Sequence, residues 1–205
     1  MKSDAIAFGI AGMAFGLIAC WIIGTQQVLV RTPAPGAATA GAAPAAGAEP
    51  RAAVLDQTQV KALESVAARE ASNPKPRADL ANLYFDAERY DDAIKWYVEA
   101  LKLNPNDINV STDLGVCYYY TNQPEKALEQ LARSLAIDPK HAKTLLNLGI
   151  VKAFGKQDLD GASQAWQRVI QLAPYSPEAR AAKRALDTLQ SAHPGMAGAA
   201  QKPGA

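Results

Sequence analysis

A leucine followed by a small residue recurs every 34 residues: Leu80-Ala81, Leu114-Gly115 and Leu148-Gly149. A second set, Ala93, Ala127 and Ala162, and a third, Pro105, Pro139 and Pro174, repeat at spacings of 34 and then 35. Two registers that slip together while another holds its period place one extra residue between Gly149 and Ala162, most simply in the turn from Gly155 to Gly161. Each period reads as a helical hairpin: apolar residues at helical spacing, a break near the middle, a second helical run, and a proline that forbids continuation. In the first period the breaks are Glu88-Arg89-Tyr90-Asp91 and Asn104-Pro105-Asn106-Asp107. The small residue and the alanine lie where the two helices cross, and a bulkier side chain there would push them apart.

These positions resemble the tetratricopeptide repeat, a family marked by Trp, Leu, Gly, Tyr, Ala, Phe, Ala and Pro at fixed places. Residues 74–107 carry Leu80, Ala81, Tyr84, Ala93, Tyr97, Ala100 and Pro105. Residues 108–141 carry Leu114, Gly115, Tyr118, Ala127, Leu131, Ser134 and Pro139, and residues 142–176 carry Leu148, Gly149, Ala162, Trp166, Val169 and Pro174. The family's tyrosine is Lys152 in the last unit, whose first helix is therefore the least typical, and the early Trp is missing from every unit. The resemblance implies an all-α fold, a right-handed superhelix of antiparallel hairpins over residues 55–190. Before the three repeats, Leu55 to Ala71 reads as half a repeat with Val60, Leu63, Val66 and Ala67 inward. After them, Ser176-Pro177-Glu178 starts a capping helix over 177–190, with Ala182, Ala185, Leu186 and Leu189 inward.

In this family the first helices line a concave face, and its groove positions carry over residue by residue. They give Asn82 and Phe85 in the first unit, Val116, Tyr119 and Tyr120 in the second, and Lys143, Leu146, Asn147, Ile150 and Phe154 in the third. Lys75, Ala78, Asp86, Asn109, Thr112 and Ala153 share that face. The expected groove has an apolar floor with Asn82, Asn147 and Lys143 as polar guides for a protein or peptide ligand. Members that clamp a C-terminal carboxylate use two Lys, two Asn and a further basic residue. The matching residues here are Ala78, Asn82, Asp113, Lys143 and Asn147, and Asp113 would repel a carboxylate. Residues 60–180 also resemble the repeat domains of membrane-tethered bacterial factors for cytochrome c biogenesis, through Ala71-Ser72-Asn73-Pro74, Arg89-Tyr90-Asp91-Asp92-Ala93 and Ala165-Trp166-Gln167-Arg168-Val169-Ile170. That likeness implies a groove holding an unfolded apocytochrome segment.

The first 31 residues are a different material. Ala5 to Ile23 carries no charge and is long enough to span a bilayer. Three readings stand: an uncleaved single-pass anchor, a cleaved signal peptide, and a lipoprotein signal in which Leu17-Ile18-Ala19-Cys20 presents Cys20 for acylation. Lys2 ahead of the run favours a cytoplasmic N-terminus, which puts the repeats in the periplasm of a bacterial inner membrane. Ala5, Gly9, Gly12 and Gly16 align on one helix face where two spans could pair, so a homo-oligomer is one expectation. Residues 32–54, rich in Ala, Pro and Gly, read as a disordered linker, and residues 191–205 as a disordered tail.

Charge narrows the function. Lys and Arg number 21 against 20 Asp and Glu, and the two signs interleave without a basic stripe, so nucleic acid is not an expected partner. Cys20 and Cys117 have no metal or redox spacing, and Cys117 reads as a small buried apolar residue. His141 and His193 have no acid or nucleophile at a catalytic spacing, and no glycine-rich phosphate loop occurs. The sequence thus predicts no enzyme, no cofactor and no metal, and leaves a membrane-tethered scaffold that binds a peptide, or a module that assembles with itself.

Overall fold

The computed structural model describes residues 53–193. The expected anchor (1–31), the linker up to residue 52 and the tail beyond residue 193 lie outside the described residues. Within them are the helices α1 (Gln57–Arg69), α2 (Lys75–Asp86), α3 (Tyr90–Leu103), α4 (Ile108–Tyr120), α5 (Pro124–Ile137), α6 (Ala142–Ile150), α7 (Leu159–Leu172) and α8 (Pro177–Ala192), and no strand. The pairs α2/α3, α4/α5 and α6/α7 are the three hairpins; each helix packs on the next, and α8 lies against both α6 and α7.

Local chemistry sets the helix starts. Asp56, Asp107, Asp158 and Ser176 each accept hydrogen bonds from backbone N–H groups of the following first turn, satisfying donors that have no intrahelical partner. Asp91 and Asp92 occupy the first turn of α3, where carboxylates favour the positive end of the helix dipole. Pro177 opens α8 behind Ser176, as the sequence predicts, and the helix runs to Ala192, two residues past the expected end.

The three hairpins close on one recurring contact. Ala93, Ala127 and Ala162 are fully buried, and one turn later Tyr97, Leu131 and Trp166 are at most 1% exposed. The large residue of each second helix reaches the small residue of the first, and the two sizes are complementary. Gly115 faces Leu131, and Gly149 faces Trp166, whose indole Nε1 donates to the Leu146 carbonyl at 3.1 Å.

The extra residue of the third unit lies between Gly149 and Ala162, as expected, and ahead of Asp158. Equivalent turn-closing bonds run from Arg89 N to Tyr84 O, from Gln123 N to Tyr118 O, and from Asp158 N to Lys152 O. The first two span five residues and the third spans six. The residues just before these donors, Glu88, Asn122 and Gln157, share a left-handed φ of 56 to 58°. The insertion therefore falls between Lys152 and Gln157, and not in the stretch that follows Gln157. The chain absorbs it by widening Val151–Gly155 into a π turn, which takes up one more residue per turn than an α-helix.

At the front end, Val60 and Ala67 are buried while Leu63 and Val66 stay half-buried, because α2 is the one major neighbour of α1 among the described residues. The Ala53 N–H donates to the Asp86 carbonyl at 2.9 Å, so a residue of the predicted linker touches the array.

The contact between small and large residues gives a graded expectation. A Cβ at Gly149 would stand only 2.2 Å from the Trp166 indole nitrogen, whereas at Gly115 it would stand 3.0 Å from the movable end of Leu131. In thermal or urea denaturation Gly149→Ala should cost about 1–3 kcal/mol, as overpacking of a rigid core does. Gly115→Ala should cost visibly less.

Candidate functional site

The first helices of the hairpins, α2, α4 and α6, carry the expected groove, and the structure divides its residues into two groups. Asn82 is exposed, and Phe85, Tyr119, Tyr120, Lys143 and Phe154 are half-buried. Val116, Leu146, Asn147 and Ile150 are between 1% and 3% exposed and offer a ligand no surface, which corrects the expectation of an apolar groove floor. The cause is the company these helices keep. α4 is flanked by α3 and α5 and touched by α6, so Val110–Cys117 are buried without a break. α6 is covered by α7 and by the capping helix α8, which encloses Thr144–Asn147, Gly149 and Ile150.

What remains open is a row of rings on the ends of α2 and α4. Phe85 meets Tyr90 edge-on with centroids 5.6 Å apart. Tyr90 stacks on Tyr120 at 4.5 Å and 12°, and Tyr120 lies 5.5 Å from Tyr119. Tyr90, at the first position of α3, joins this row without having been singled out by the sequence. It sits in the break between helices, where no groove position of the family falls. Tyr119 also packs on the cluster of Ala127, Leu131 and Val151, so part of that ring serves the core.

Polar groups hold the middle of the face. The Tyr97 hydroxyl donates to Asn82 Oδ1 at 2.7 Å. Tyr97 occupies the family's aromatic position, and only its being Tyr instead of Phe hints at this reach to the groove; burial, first of all, pushes its hydroxyl up from the ordinary value of 10.0. Lys143, expected as a free polar guide, is bonded to Asp113 at 2.7 Å across the α4–α6 boundary. Desolvation raises the Asp113 carboxyl above its usual 3.8 and outweighs the attraction of Lys143. Asp86 is likewise raised, by partial burial and then by the charge of Asp113. Asn147 donates from Nδ2 to the Lys143 carbonyl, while its buried Oδ1 has no partner among the described residues.

Two further residues turn out to be structural. Cys117 is 0% exposed, and burial pushes its thiol up, which suits a small core residue better than a nucleophile. His141 bonds through Nδ1 to Thr144 Oγ1 at 2.7 Å, and Thr144 meets Thr112 Oγ1 at 2.6 Å, a buried link between the second and third repeats. The segment 165–170, one of three that carry the likeness to cytochrome c biogenesis factors, lies in α7. Its Ala165, Trp166 and Val169 are buried core.

With this geometry in place, residues 76–140 match the family model of the tetratricopeptide repeat, and the helical array has the tetratricopeptide fold. The BBSome complex member BBS4 of Bos taurus is 34% identical over 99 residues, covering 48% of this chain and 19% of BBS4. Hsp70-Hsp90 organizing protein 3 of Arabidopsis thaliana is 28% identical over 97 residues, covering 47% of this chain and 17% of that protein. The chain thus spans under a fifth of these curated relatives. Among solved structures, the first repeat domain of Spaghetti (RPAP3), bound to the HSP90 peptide SRMEEVD, shares the fold with a TM-score of 0.51 at 21% identity. That match covers 67% of this chain and 95% of that one.

The Asp113–Lys143 pair sets a pH-dependent expectation. A carboxyl raised above its unfolded value favours folding most below that value, and the benefit is lost as pH rises through the folded value. Lys143→Ala should raise Asp113 further and cost about 3 kcal/mol at pH 7, at the low end for breaking a buried pair because Lys143 is itself partly exposed. In urea melts the loss should shrink at pH 4, and Asp113→Asn added to Lys143→Ala should recover most of it.

Proposed function

We propose that this tetratricopeptide chain is a non-catalytic scaffold, tethered to a membrane by Ala5–Ile23, that holds a peptide segment of a partner protein on the open part of its concave face. The observation that carries the reading is the surface left uncovered on the first helices. Exposed Asn82 and half-buried Phe85 and Tyr120, with half-buried Phe154 in the third unit, keep surface on the expected groove positions, while Val110–Cys117 of α4 and Thr144–Asn147 of α6 are buried. Aromatic rings with one wet edge beside a fixed amide are what peptide-binding surfaces are made of. A domain of this fold also holds a peptide in the complex of Spaghetti (RPAP3) with the HSP90 segment SRMEEVD. The tether reading comes from the uncharged N-terminal run, and it assigns the array to the outer side of a bacterial inner membrane. The helices within residues 53–193 include none long and apolar enough to cross a membrane.

A photo-crosslinker placed at residue 82 of the full chain, in membranes of cells that produce it, should yield one or a few discrete adducts. The same group at Glu129, on the exposed face of α5, should yield none of them. Equal products from both positions would remove the groove from the account. Residues 1–31 should keep the chain in the membrane pellet through alkaline extraction. If Cys20→Ala releases it, the tether is a lipid and not a span.

A further inference from the structure

The cations of the concave face already have partners. Lys75 is bonded to Asp79 at 2.7 Å and Lys143 to Asp113 at 2.7 Å. Asp86 is different. It lies one helical turn beyond Asn82 on the same face of α2, is exposed, and has no cation beside it among the described residues. Its carboxyl is pushed up from 3.8 by partial burial and by the charge of Asp113 on the neighbouring first helix. A carboxylate held in that situation gains from an incoming cation and loses from an incoming anion.

Asn82 supplies a second, independent constraint. Its Oδ1 is committed to the hydroxyl of Tyr97, a residue 1% exposed and therefore fixed in the core. The amide plane is set from beneath, and Nδ2 is left to donate on the open side. A recess of about 290 Å³ lined by Ala78, Asp79, Asn82, Asn109 and Val110 opens beside it. An amide donor held in one orientation suits a peptide carbonyl, and the next turn of the same helix then presents Asp86 to the side chain that follows.

We infer that the groove selects an extended peptide bearing an arginine or lysine, with a backbone carbonyl on Asn82 Nδ2 and the cationic side chain against Asp86. This rests on the groove reading above and adds the charge of the ligand to it. Arginine should be preferred over lysine, since its planar fork matches a carboxylate in two bonds. An acidic C-terminal segment such as SRMEEVD is disfavoured, because the Lys143 ammonium that could meet its carboxylate is held by Asp113.

The test uses the full 205-residue chain and a positional-scanning library of heptapeptides capped at both ends. Bound peptides should be enriched about tenfold in Arg and Lys over Asp and Glu at one position, as a charge-assisted hydrogen bond provides. Asp86→Asn, at an exposed site and close to isosteric, should bring that enrichment near unity while binding of the library persists. Asn82→Ala should weaken all members alike and leave the charge preference intact. Binding without a cationic preference, a preference for acidic residues, or enrichment that survives Asp86→Asn would each overturn the inference and leave the groove reading standing. Failure of the folded chain to bind any member, with its helical circular dichroism intact, would overturn both.

Discussion

The array depends on the crossing of two helices at a residue too small to keep them apart. Gly149 and Gly115 admit the side chains of Trp166 and Leu131, and in the first hairpin Ala81 is fully buried in the same cluster as Tyr97. Once that crossing is fixed, each hairpin presents one sealed side and one side that needs a neighbour. Stacking the hairpins then brings α4 against α3 and α6, and α8 over α6 and α7. The openness of the concave face is set by this stacking, since every helix added to the array covers part of the one before it.

That dependence explains what could be read from the residues and what could not. The hairpins and the start of the capping helix are local properties, written in period, proline and caps, and the helices fall within a few residues of the expected spans. The core partners Ala93, Ala127 and Ala162 were legible for the same reason. Exposure of a groove position was not legible. Val116 and Asn82 occupy equivalent places in consecutive repeats, yet one is 2% exposed and the other open to solvent. α4 is touched by the next first helix, α6, whereas α2 meets α4 less closely, and that spacing is encoded in no single repeat. The single inserted residue was detected by counting, but its absorption into a π turn at Val151–Gly155 depends on hydrogen bonds that counting does not see.

Electrostatic roles were also hidden by separation along the chain. Lys143 read as a ligand guide and Asp113 as a repulsive element, each taken alone. Thirty residues apart, they meet across a repeat boundary, and the Lys143 ammonium is held by Asp113. Removing water from Asp113 costs more than Lys143 returns, so the pair does little for net stability. Buried pairs of this kind commonly break even at best. Its effect is on what the face offers, since a cation that would otherwise attract a carboxylate is withdrawn into the wall.

The same withdrawal leaves the polarity of the open surface to Asn82 and Asp86. Tyr97 fixes the first from below through its hydroxyl, and Asp113 biases the second through its field. Neither Tyr97 nor Asp113 has more than a small fraction of its surface exposed. Core residues therefore tune the chemistry of the face without touching a ligand. Two arrays with the same fold and the same exposed amide can thus prefer ligands of opposite charge, according to which of their wall residues hold one another.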